Sequence, residues 1–212
     1  MLYTPLSREF YTTDACTLAE ACLGKLLVLE TPEGTLTGLI TETEAYMGVF
    51  DRASHAYGGR RTARNETMYR MGGFAYVYQI YGLYHCLNIT AAQEGNPEAV
   101  LIRGVLPMDG IDILCENRRK TGRAKTYPVS EAMTAKQRRA MTDGPGKLCT
   151  AFGIGRETDG ADMTCGNLYL TDTGIRPVSV QYLPRVGIDY AGEDRDKPWR
   201  YLAKLPETQY IL

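Results

Sequence analysis

The chain of 212 residues predicts an α+β fold: a single domain spanning 1–212 with a curved, mostly antiparallel sheet and surrounding helices. Three observations carry that expectation. Strand-like segments with β-branched and aromatic residues succeed one another between residues 25 and 106, separated by turn residues. The segments 75–81, 87–91 and 99–106 follow one another through short turns, a succession of neighbouring antiparallel strands rather than a βαβ pattern. No polar linker divides the chain, and its length suffices for one sizeable core.

From the N-terminus, residues 14–24 place apolar side chains at 15, 18, 19, 22 and 23, with Thr13 or Asp14 as cap and Gly24 as terminator, an amphipathic helix. Segments 25–30 and 36–46 flank Thr31-Pro32-Glu33-Gly34 and read as a hairpin. A glycine-arginine loop leads to a short helix over 62–69. In the next strand, the period of two puts Phe74, Tyr76 and Tyr78 on one face and Val77 and Gln79 on the other. The pattern breaks at Tyr81-Gly82, where glycine permits a tight turn and leaves Tyr81 near a loop tip. Strand 75–81 is expected to pair with 87–91, and that with 99–106. Helices are expected at 108–118 and 144–152, an exposed polar loop at 119–132, and short strands within 167–190.

Composition excludes several classes. No segment approaches a membrane span, and no basic start precedes an apolar run, so a soluble cytoplasmic protein is expected. Cys16, Cys22, Cys86, Cys115, Cys149 and Cys165 lack metal-site spacing, which argues for reduced, mostly buried thiols, no metal and no cofactor. The net charge of −1 opposes general nucleic-acid binding, but its distribution is uneven. Arg60, Arg61, Arg64 and Arg70 face a single acid, Glu66, and further basic blocks lie at 116–125 and 136–139. Runs of this kind are most often solvated faces. Only the first block adjoins the aromatic and acidic cluster.

That cluster is Glu42-Thr43-Glu44-Ala45-Tyr46, then Gly48, Asp51, Ala53, Ser54 and His55, the arginine loop, and Tyr76-Val77-Tyr78 through Tyr81, Gly82, Tyr84 and Cys86 to Asn88. It is continued by Ala99-Val100-Leu101-Ile102-Arg103, Asp143-Gly144-Pro145-Gly146-Lys147 and Gly187-Ile188-Asp189-Tyr190-Ala191-Gly192 through Trp199. In this order the motifs resemble the alkyladenine (3-methyladenine, methylpurine) DNA glycosylase family over nearly the whole chain.

The resemblance implies an enzyme acting on damaged double-stranded DNA without a cofactor, and a monomer is expected because one nucleotide needs only one protomer. Glu44 is implied to activate water and Arg103 to hold that water. Strand parity alone leaves Glu42 and Glu44 on one face, and the motif match selects Glu44. Tyr46, Tyr76 and Tyr78 are implied to sandwich an extruded base, His55 to bond the flipped nucleotide, and Asn88 to filter out unmodified guanine. Tyr81 is implied to fill the gap in the duplex. Arg60, Arg64 and Lys147 are the expected phosphate contacts, although the acid at Asp143 departs from the Ser or Asn more frequent in the family. No lysine falls in the cluster, so no Schiff base and no strand-cleaving lyase step is expected. Rival readings are a non-catalytic module stacking single-stranded bases and a nucleosidase acting on free nucleosides. A zinc deaminase is excluded, since neither its His-x-Glu nor its Cys-x-x-Cys pairing exists.

Overall fold

The computed structural model describes residues 3–121 and 133–206. Eight strands form one sheet in the order β3-β4-β5-β2-β1-β6, with β8 joining at β2 and β7 pairing with β8. In chain order they are β1 (Leu26–Thr31), β2 (Gly34–Tyr46), β3 (Ala75–Ile80), β4 (Tyr84–Ala91), β5 (Glu98–Pro107), β6 (Leu168–Thr171), β7 (Ser179–Leu183) and β8 (Arg200–Lys204). All of these pairings are antiparallel, in agreement with the expected sheet.

The trunk of the sheet is β2. One edge pairs with β5 along residues 38–46; the other pairs with β1 along 34–39 and with β8 along 42–44. Where β2 exchanges β1 for β8, its register with β5 is irregular on both sides of Glu42. Such a bulge re-aims a side chain. It does so beside the residue the sequence leaves in competition with Glu44.

Alternation along the strands divides the sheet into two faces. Ala75 and Val77, Leu87 and Ile89, and Val100 and Ile102 enter the main core with Leu18, Leu114, Leu148 and Phe152. These last four come from α2 (Ala15–Ala21), α3 (Ile111–Lys120) and α5 (Pro145–Phe152). Burying each large apolar side chain contributes roughly 1.5–3 kcal/mol. The opposite register carries Tyr76, Tyr78, Asn88, Leu101, Arg103, Glu44 and Tyr46, all of which line a cavity.

Helix α2 is capped by Asp14, whose carboxylate accepts the Thr17 amide at 2.9 Å. Helix α3 begins at Ile111 rather than at 108, because Asp109 bonds reciprocally with Thr37 and Gly110 turns through φ +72°. The helix expected over 62–69 is only a 3-10 turn, Glu66–Tyr69. Asn65 takes the Thr62 amide on Oδ1 and donates Nδ2 to the His55 and Arg60 carbonyls, so its side chain organises the loop in place of a helix. Phe74 does not share the wall of Tyr76 and Tyr78. It lies before β3, bridged to Asp162, with the Arg8 and Arg70 guanidinium groups over its ring. The short α1 (Arg8–Tyr11), α4 (Ala135–Ala140) and β8 have no counterpart in the sequence reading. Of the loop expected at 119–132, residues 119 and 120 end α3, and 122–132 lie outside the described residues.

Candidate active site

The cavity on the second face measures about 640 Å³. Glu44 forms its acidic floor, with its side chain fully buried. One carboxylate oxygen, Oε1, accepts the Val186 amide at 2.8 Å and lies 3.3 Å from Arg103 Nη1; Oε2 accepts the Tyr46 hydroxyl at 2.9 Å. Burial raises the Glu44 pKa above the ordinary carboxylate value, opposed by Arg103, the Val186 amide and the Tyr46 hydroxyl. The result is a partly desolvated carboxylate whose charged form is held by three donors. That is the profile of a proton acceptor.

Glu42 stands apart. Its Oε1 accepts Arg103 Nε at 3.0 Å and Arg200 Nη1 at 3.0 Å, and it lines a different cleft with Thr41, Asp143 and Lys204. The irregular register and the two guanidinium groups draw it away from its neighbour of like parity. Arg103 therefore bridges both carboxylates, which offsets the cost of its own burial.

The aromatic wall forms as alternation predicts. Tyr76 and Tyr78 have ring centroids 5.4 Å apart at an interplanar angle of 38°, and His55 packs edge-on against Tyr78 at 4.5 Å. His55 Nδ1 lies 2.7 Å from the Tyr76 hydroxyl. Burial, and then the positive charges of Arg64 and Arg60, lower the His55 pKa, so the ring is neutral near pH 7. Burial pushes the phenols of Tyr46 and Tyr78 well above their ordinary value. Asn88 donates Nδ2 to the Tyr76 carbonyl at 3.1 Å and to the Cys86 carbonyl at 3.3 Å, which locks the amide in the cavity wall.

Tyr81 stands at the tip of the β3–β4 hairpin, 87 % exposed, with φ +51° followed by Gly82 at +64°. The left-handed pair closes the turn, with the Leu83 amide donating to the Ile80 carbonyl at 3.1 Å. Arg64 lines the cavity, and Arg60 lines an adjoining one of about 330 Å³ that shares Ala53, His55, Arg64 and Tyr190 with it. Lys147 is not brought to either: at the first turn of α5 its ammonium sits 2.6 Å from the Asp143 carboxylate. Among the described residues lining the two cavities there is no lysine.

Sequence reasoning assigned no role to Asp51, Arg185, Val186 or Tyr190. Asp51 and Arg185 form an ion pair with both side chains fully buried, and Val186 and Tyr190 line the cavity. Asp51 is marked in advance only by its place in the acidic-aromatic cluster; Val186 acts through its backbone, which no residue type announces.

Comparison with known proteins settles the lineage. The profile of the methylpurine-DNA glycosylases matches residues 9–206. The chain belongs to the methylpurine-DNA glycosylase family. Within that family it is 42 % identical over 206 residues to a protein of Desulfitobacterium hafniense provisionally named a 3-methyladenine DNA glycosylase, covering 97 % of each chain. A protein of Clostridium acetobutylicum and one of Clostridium botulinum, provisionally named in the same way, are 44 % identical over 199 residues and 46 % over 200; they share 94 % of this chain and 94 % and 95 % of their own. The glycosylase is accordingly an enzyme of alkylation repair whose substrate is DNA. Among its described residues no helix is long and apolar enough to cross a membrane.

Proposed function

We infer that this glycosylase extrudes 3-methyladenine, 7-methylguanine or hypoxanthine from duplex DNA into the cavity and hydrolyses the N-glycosidic bond with water activated by Glu44. One observation carries the reading: a fully buried carboxylate and three tyrosines, Tyr46, Tyr76 and Tyr78, converge on one cavity. Extrusion costs a few kcal/mol, least for a damaged base, and stacking returns roughly 1–3 kcal/mol per base. The two nearly cancel, so small differences in pairing strength and charge decide which base enters. A cationic alkylpurine gains further on the phenol faces.

In the chemical step the Glu44 carboxylate takes a proton from water as the oxygen bonds to the anomeric carbon, with Arg103 holding that water. The glycosidic electron pair leaves with the base. An alkylpurine that is cationic in DNA departs as a neutral molecule, hypoxanthine departs as its anion and is protonated by solvent, and an abasic site remains. His55, neutral and engaged through Nδ1, keeps its other nitrogen for the nucleotide. Asn88, held by two carbonyls, disfavours the exocyclic amine of unmodified guanine. Tyr81 fills the vacated stack. Arg60 and Arg64 neutralise flanking phosphates; Lys147, tied to Asp143, is at most a peripheral contact. With no lysine among the described residues that line the cavity to form a Schiff base, the enzyme acts without lyase chemistry, and one protomer suffices for one nucleotide.

The test is release of free base from methylated duplex DNA and from an inosine-containing duplex, side by side, with the wild type and Glu44→Gln. Release abolished by the substitution while lesion affinity persists supports the reading. Unchanged release overturns it. Strand cleavage or a borohydride-trapped adduct would overturn the monofunctional assignment.

A further inference from the structure

Behind the cavity floor lies a buried charge pair that the chemistry above does not use. Arg185 Nη1 and Nη2 meet Asp51 Oδ2 and Oδ1 at 2.5 and 2.7 Å, with both side chains fully buried. Nη1 also donates to the Ala45 carbonyl at 2.9 Å, and Ala45 sits between Glu44 and Tyr46. The guanidinium lies 4.8 Å from the Tyr46 ring centroid and 4.9 Å from that of Trp199. Asp51 in turn accepts the amides of Met47 and Ala53 at 3.1 and 3.0 Å. Nη2 also reaches the Asp194 carbonyl at 3.5 Å, so four chain segments meet at one ion pair: the end of β2, the loop 47–53, the loop that begins at Pro184 and the 3-10 segment Asp189–Asp196.

Stability alone accounts poorly for such a pair. A buried ion pair gains little over an apolar replacement of similar volume, and here Arg185 Nε is buried without a hydrogen-bond partner, a further cost. What the pair does fix is the residue after it. The Val186 amide is aimed at Glu44 Oε1, 2.8 Å away. We propose that Arg185, clamped by Asp51, is a positioning residue that holds the Val186 amide on Glu44 and so sets the orientation and charge of that carboxylate.

The proposal rests on the reading of Glu44 as the proton acceptor. The titratable and charged groups facing Glu44 are Arg103 from β5, Tyr46 from its own strand, Tyr78 from β3, Cys86 from β4 and Arg185 itself. Of these Arg103 and Tyr46 bond to the carboxylate directly, independently of the Val186 amide. Loss of the Val186 donor removes one stabiliser of the charged form, so the acid limb of the rate profile moves to higher pH.

Arg185→Lys keeps the charge but lacks the planar fork, and Val186→Pro deletes the amide donor while the Arg185 and Asp51 side chains are both retained. Single-turnover release of base from methylated duplex is measured against pH for both, alongside affinity for the lesion duplex and thermal melting. Both are expected to lose about tenfold to a hundredfold in rate near neutral pH. Their acid limbs should move upward together, lesion Kd should stay within about threefold, and neither should slow release further in a Glu44→Gln background. If Arg185→Lys does not fold, Asp51→Glu, which keeps the charge of the pair and displaces its fork, carries the same expectation. An acid limb that moves in Val186→Pro but not in the clamp variants overturns the proposal, as does a uniform loss of rate at every pH. Full activity of Glu44→Gln would instead overturn the reading beneath it, and the two failures are distinguishable.

Discussion

Glu44 is the residue on which most depends, and its surroundings make its titration a direct test. Replacing its acceptor oxygen by an amide, Glu44→Gln, should lower base release by about a hundredfold to ten-thousandfold, the usual contribution of a positioned base. Because burial raises its pKa and the reactive form is the anion, the wild-type rate should fall with decreasing pH through a limb lying above the ordinary glutamate value. That limb should vanish in the residual activity of Glu44→Gln. Single-turnover rates across pH check both outcomes. Asn88 gives a second expectation at this scale. Truncation to Ala removes an amide held by two backbone carbonyls, so Asn88→Ala should raise release of unmodified guanine relative to methylated purine. A guanine-to-lesion rate ratio no higher than wild type would refute that filter.

At the scale of elements, the β3–β4 hairpin spends stability on exposure. Tyr81 is held at φ +51°, a conformation that costs a non-glycine residue roughly 1–2 kcal/mol. Its ring lies 87 % exposed and gains no packing in return. Tyr81→Gly should therefore leave the melting temperature unchanged or raise it by about 2–4 °C, while lowering excision from a fully paired duplex. The deficit should shrink where the lesion sits opposite a mismatch, because less stacking must then be replaced. Equal losses on paired and mismatched duplexes would argue against a wedge. The hairpin also illustrates how sequence becomes site: the alternation that sends Val77 to the helices is the one that sends Tyr76 and Tyr78 to the cavity. That part was legible. The 3-10 turn at Glu66–Tyr69 was not, because the Asn65 side chain competes with a helix only once the His55 and Arg60 carbonyls have been brought to it.

For the whole molecule, a net charge of −1 means that attraction to DNA is local rather than global. Affinity should weaken with salt in proportion to the few phosphates neutralised at one surface. Substituting Arg60 or Arg64 by Ala should lower the slope of log K against log salt by about one for each, whereas Lys147→Ala should change it less, since its charge already meets Asp143 at 2.6 Å. Titrations of binding at several salt concentrations decide this. An equal effect at Lys147 would show that the DNA path reaches the first turn of α5.

What the sequence determined by itself was the α+β class, the succession of antiparallel strands from β1 to β5, the shared face of Tyr76 and Tyr78 and the exposed tip at Tyr81. Each follows from periods of two or from turn residues, which act over a few positions along the chain. Strand parity left Glu42 and Glu44 together, and the tertiary structure parts them in space through an irregular register beside β8. Only it closed Arg185 onto Asp51 and the Val186 amide onto Glu44, contacts between residues 134 and 142 positions apart. Local pattern does not encode such meetings, because they exist only where the packed core has brought two distant loops against the same end of β2.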